Sequence, residues 1–269
     1  MKKITGSRKQ RGFTLVELSV VLVVVGLLFA AVVKGQEVVD SAKAQKLIND
    51  IKSTEALIQK FVQIKSRMPG DCNADGLIDF PADQVDRLDT GNSGRANLYD
   101  YTTSQKVYAV SGDAIDSVHE GCAQINGTKY EVLSATGANN WVNDLKLAGL
   151  VSDSVPNRTF AKQVNEDFLF VGNVTDNGDA SADAAQYNAI IVQNVPQWMA
   201  RQVATAINGS DATSNRGRVR QLVRRDAGGN GTYVDLWSNV EGTSNVMRDA
   251  MVSVVYFFDR VPATTPFVD

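Results

Sequence analysis

Residues 13–33 read FTLVELSVVLVVVGLLFAAVV, 21 residues broken by a single charge, Glu17. A run of about 20 apolar residues is long enough to span a bilayer core as one helix. No soluble fold of ordinary size exposes such a stretch without cost, so the segment constrains everything else. Its N-terminal flank carries Lys2, Lys3, Arg8, Lys9 and Arg11 and no acid, whereas the flank from Lys34 to Asp40 is mixed. The bias of basic residues towards the cytoplasm then leaves residues 1–12 inside and the bulk of the chain outside. A cleaved secretory signal would be cut after its apolar region at a small-residue site. The sequence after Ala31 instead runs directly into a polar helical pattern.

Glu17 is the anomaly. A carboxylate in a membrane-spanning segment is costly, by about 2.5–3.5 kcal/mol at the helix centre and less near an end. Such residues are usually partnered and functional. Together, Arg11-Gly12-Phe13-Thr14-Leu15-Val16-Glu17 resembles the class III signal sequence of type IV pilins and type II secretion pseudopilins. A signal anchor with an accidental glutamate is the plainer alternative.

The resemblance implies a set of roles. A prepilin peptidase would cut between Gly12 and Phe13, and glycine suits close approach to the backbone. Phe13 would become the N-methylated terminus. Glu17 would meet the terminal amine of a neighbouring subunit, each charge offsetting the burial cost of the other. The implied partners are other pilin or pseudopilin subunits, the peptidase and an inner-membrane assembly platform. The implied location is the inner membrane, crossed once, with the head outside the cytoplasm. Lys34 stands near the depth where many major pilins carry proline, which tilts the reading towards a minor pilin or pseudopilin.

Past the membrane the helical pattern persists. Val38, Val39, Ala42, Leu47, Ile48, Ile51, Ile58, Phe61 and Ile64 form one stripe, and Met68-Pro69-Gly70 stops the run. The expected organisation is a leader at 1–12, a long helix at 13–67 with its membrane segment at 13–33, and a head at 68–269. The expected fold is α+β, pilin-like, with the long helix packed on an antiparallel β-sheet. Strands are expected near Phe168–Gly172, Tyr187–Val192, Tyr233–Trp237 and Met251–Phe258. Helices are expected at Trp141–Val151 and after Pro196.

Within the head, Asp71, Asn73, Asp75 and Asp79 place oxygens at alternate positions around Gly76, with a backbone carbonyl offered by Leu77. This is the opening of a calcium loop of EF-hand type, so calcium is the candidate cofactor. Position twelve is Ala82 where a bidentate acid is usual, Asp83 or Asp86 would have to complete the site, and Pro81 disfavours an exit helix. The competing reading is an Asx-rich turn without metal. Cys72 and Cys122, the only cysteines, form the expected disulfide if this region is exported.

The whole chain carries a net charge of −3 and the leader +5, so the remainder carries −8, which disfavours bulk nucleic-acid binding. Arg216, Arg218 and Arg220 would share a face if 216–223 were a strand, as a phosphate or DNA site or, more plainly, as a charged edge. The single histidine, His119, lies in polar sequence, and no nucleophile elbow, zinc motif or phosphate loop occurs. The chain is therefore read as a filament subunit and not an enzyme. The alternative is a filament-tip adhesin or a receptor subunit whose head binds substrate or DNA.

Overall fold

The computed structural model describes residues 14–72, 74–82, 123–125, 129–131, 137–175, 185–209, 215–223, 232–233, 237 and 250–262. The chain divides into two compact units, Met1–Ala42 and Lys43–Asp269.

Helix α1 spans Leu15–Lys65, a single run of 51 residues. In the first unit its apolar residues are all exposed, from Leu15 at 83% to Val33 at 53%. Among the described residues it is the one helix long and apolar enough to cross a membrane. In the second unit the helix buries Ala44, Leu47, Ile51, Thr54, Ile58 and Phe61. Those steps of three and four trace one narrow stripe. The helix stops earlier than the Pro69 signal requires, at Lys65, because Ser66 turns left-handed with φ 57°.

The second unit is built on a five-stranded sheet. Its strands are β3 (Leu169–Thr175), β4 (Gln186–Pro196), β5 (Val219–Val223), β6 (Thr232–Tyr233) and β7 (Met251–Phe257). They run in the order β3-β4-β7-β5-β6, with every pairing antiparallel. A separate short hairpin joins β1 (Ala123–Ile125) to β2 (Lys129–Glu131). The α+β reading with an antiparallel sheet is therefore correct. β7 is buried on both sides: Val252, Val254 and Tyr256 alternate with the equally buried Val255 and Phe257. Such a strand reads as continuous β-branched and aromatic sequence, which is why Met251–Phe258 was legible.

Three shorter α-helices lie among the described residues of this unit. Helix α2 (Asn140–Leu147) ends where Gly149 adopts φ 70°, so that Leu150 N donates to Leu145 O. That is a glycine-dependent helix stop. Helix α3 covers Asn157–Ala161, and α4 covers Gln197–Asn208 after Pro196. Helix α4 buries Met199, Ala200, Val203 and Ala204 against the sheet.

Polar contacts lock α1 to this core. Tyr256 donates its phenolic hydrogen to Glu55 Oε2 at 2.8 Å, and Lys52 Nζ donates to the Tyr256 oxygen. Beyond the helix, Arg67 grips Asp144 of α2 with both guanidinium nitrogens at 2.7 and 3.0 Å. Asp144 also accepts Gly70 N at 2.7 Å. Its side chain is 1% exposed, so this is a buried, charge-assisted bidentate pair.

Candidate functional site at the start of the helix

Thr14 and Glu17 form a reciprocal cap. Thr14 N and Thr14 Oγ1 each donate to Glu17 Oε2 at 2.9 Å, and Glu17 N donates back to Thr14 Oγ1 at 3.3 Å. The spacing Thr-x-x-Glu is that of a capping box, which satisfies amides that the first helical turn leaves without partners. The positive end of the helix dipole adds to the stabilisation of the carboxylate. Glu17 therefore has local support within its own chain. Glu17 Oε1 accepts no hydrogen bond from any described residue. An incoming cationic donor thus has one oxygen to meet while the other remains bound to Thr14. Gly12 and Phe13, the expected cleavage and methylation positions, lie outside the described residues, as do all residues before them.

In the head, the Asp71–Asp79 loop is compact. Asp71 is fully buried, and its Oδ2 accepts Gly76 N at 3.0 Å. Asp75 Oδ1 accepts Leu77 N at 2.8 Å, and Asp79 Oδ2 accepts Cys72 N at 2.7 Å. Ala74 and Gly76 both take positive φ, 59° and 90°, which curls the loop. Burial pushes the Asp71 and Asp79 carboxyls above their ordinary values, and the nearby Asp75 charge raises both further. Asn73, the fourth oxygen-bearing side chain of the motif, lies outside the described residues. Among those described, no three acidic, cysteine or histidine side chains by themselves converge to hold a metal.

The sheet fastens this loop from behind. Asn173 in β3 and Asn188 in β4 are cross-strand partners. Asn188 Nδ2 donates to Gly76 O, Asn188 Oδ1 accepts Ile78 N, and Asn173 Nδ2 donates to Ile78 O. Pro81 then pairs with Asn173 as a parallel bridge, so the chain leaves the loop along the sheet edge. The close pass requires Gly172: a Cβ there would stand 2.2 Å from Phe80 O. Neither asparagine was picked out from sequence, since each lies about a hundred residues from the loop it holds.

Cys72 is buried and disulfide-bonded, while Cys122 lies outside the described residues. His119 lies outside them too. The arginine run is not as the alternation suggested. The strand begins at Val219, not at 216, and β5 lies between β7 and β6. Arg220 is 2% exposed, donates to Gly217 O and Pro262 O, and stacks over Phe257 at 5.2 Å. Arg218 donates to the carbonyls of Phe257 and Phe258. These two residues pin the end of β7, and with Arg220 buried while Arg216 and Arg218 stay exposed before the strand, the three do not form one face.

One cleft among the described residues, of about 170 Å³, lies between α1, α3 and β3 and includes Thr54, Trp141, Phe160 and Gln163. It is smaller than the roughly 300–1,000 Å³ of typical small-molecule sites.

A family model for the prokaryotic N-terminal methylation motif matches residues 7–33. The match covers Arg8, Lys9 and Arg11 of the basic flank, the Gly12–Phe13 junction, the Thr14–Glu17 cap and the whole apolar segment. No curated protein and no solved structure matches the chain. The chain thus carries the class III signal motif of type IV pilins and pseudopilins, and its long apolar helix fits a membrane-anchored precursor of that kind.

Proposed function

We propose that this chain is a precursor of a minor pilin or pseudopilin, cut between Gly12 and Phe13, N-methylated on Phe13, and packed by α1 into a filament. The observation that carries this reading is one coincidence of position. The methylation motif at 7–33 ends on an exposed apolar segment, 13–33, whose only acid, Glu17, sits one turn from the cleavage point. After cleavage the new amine belongs to Phe13, next to Thr14, whose own N–H already donates to Glu17. In a lipid or filament interior, an amine and a carboxylate attract strongly only when both are desolvated together. A neighbouring subunit supplies the amine that Glu17 Oε1 lacks, and this pairing fixes the axial register.

In this reading the head lies outside the cytoplasm, where an oxidising compartment lets Cys72 pair with Cys122. The filament role gains support from the exposed apolar first part of α1, which needs lipid or other helices as solvent. An enzymatic role gains none from the described residues. The test is Gly12→Leu expressed with the full assembly system. The variant should accumulate as uncut precursor in the membrane and be missing from sheared filaments. Normal processing of that variant would contradict the reading.

A further inference from the structure

We propose that the Asp71–Asp79 loop of the head binds one Ca2+, with Asp71 Oδ1 as its central ligand. Asp71 is 0% exposed, and its two oxygens are not equivalent. Oδ2 is fastened to Gly76 N at 3.0 Å, while Oδ1 is buried with no hydrogen-bond partner. A buried carboxylate oxygen without a partner carries a substantial desolvation cost that a cation removes. The division of labour is the one a calcium loop needs, with one oxygen shaping the turn and the other facing the ion. The Asp75 and Asp79 side chains share this short loop, and the Leu77 carbonyl accepts no hydrogen bond from any described residue. An all-oxygen set mixing carboxylates, a carbonyl and water suits Ca2+.

Two features argue for a weak site. Position twelve is Ala82, an apolar residue that is 0% exposed, and Pro81 carries the chain onto the sheet edge. The bidentate acid usual at that position is thus missing among the described residues. Because the carboxylates alone do not converge as a cage, binding must draw the exposed Asp75 inward. Both features place the affinity at about 0.1–1 mM, the range of extracellular calcium modules. Such a site fills outside the cell and empties in the cytoplasm. The loop's far side is already held by Asn173 and Asn188, so the ion acts on a preformed frame. This proposal stands independently of filament assembly.

The experiment uses the full chain in detergent micelles, stripped with EGTA and titrated with CaCl2 by calorimetry and by thermal unfolding. Wild type should bind one equivalent with Kd of about 0.1–1 mM and unfold several degrees higher at 10 mM CaCl2. MgCl2 at the same concentration should give less than half the shift. Asp71→Asn should abolish binding. Asp75→Asn alters an exposed residue, so it keeps the fold intact and should weaken binding at least tenfold. No heat and no shift with wild type at 10 mM CaCl2 would overturn the proposal. So would an undiminished shift in Asp75→Asn, which would put the ion elsewhere.

Discussion

Glu17 combines two tasks that substitution can separate. Its carboxylate caps the helix through Thr14, and in the proposed filament its charge pairs with the amine of a neighbouring subunit. Glu17→Gln keeps an acceptor for Thr14 N but removes the charge. Thr14→Ala keeps the charge and removes the hydroxyl, costing about 0.5–2 kcal/mol of helix capping. If charge pairing drives assembly, Glu17→Gln should abolish recovery in sheared filaments, while Thr14→Ala should lower it only a few-fold. Quantitative immunoblotting of shaft and membrane fractions checks this, and equal recovery of both variants would assign Glu17 to capping alone. The position of Glu17 was legible in sequence because a charge stands out in an apolar run. Its bond to Thr14 also had a signal, the Thr-x-x-Glu spacing of a capping box. Arg220 shows the opposite failure. Arginine in an alternating run reads as surface, yet a carbonyl at each end and an aromatic face buried this one.

At the level of elements, sequence periodicity gave the long helix and the hydrophobic strands, because both patterns are local. The contacts that hold elements together were not local and could not be read. Arg67 and Asp144 are 77 residues apart. Removing one partner leaves a buried charge, so Arg67→Met should cost about 3–5 kcal/mol in thermal or urea unfolding. Asp144→Asn added to that variant retains an acceptor for Gly70 N and removes the stranded charge, so it should recover most of the loss. The Tyr256 clasp makes an alkaline prediction. Burial raises the Tyr256 phenol, and the bond to Glu55 adds to this. Burial works against the Lys52 ammonium, but its bonds to Tyr256 and Glu55 outweigh that and hold it above its ordinary value. The fold favours neutral Tyr256 and charged Lys52. Both contributions are present below about pH 10 and are lost as pH rises through the raised values. Wild type should therefore lose stability steeply above about pH 10, and Tyr256→Phe should show a shallower alkaline limb in melting temperature against pH.

For the whole molecule, the class III signal motif and a helix apolar enough to cross a membrane were legible in the first 35 residues, where composition alone dictates behaviour. The head was harder. Its class was legible from β-rich runs and Pro- or Gly-marked helix ends, such as Pro196 and Gly149. Its assembly was not, because the loop at Asp71 is held by asparagines from two distant strands and passes a strand that tolerates only Gly172. The helix also serves two environments. Residues before Ala44 expose their apolar side chains, and those from Ala44 to Phe61 bury theirs in the head's own core. Intact-mass and N-terminal peptide mass spectrometry of the exported protein tests the claim most directly. The account predicts a mature chain beginning at N-methylated Phe13 with residues 1–12 removed. A chain that retains Met1, or one cut after the apolar segment near Ala31, would contradict it.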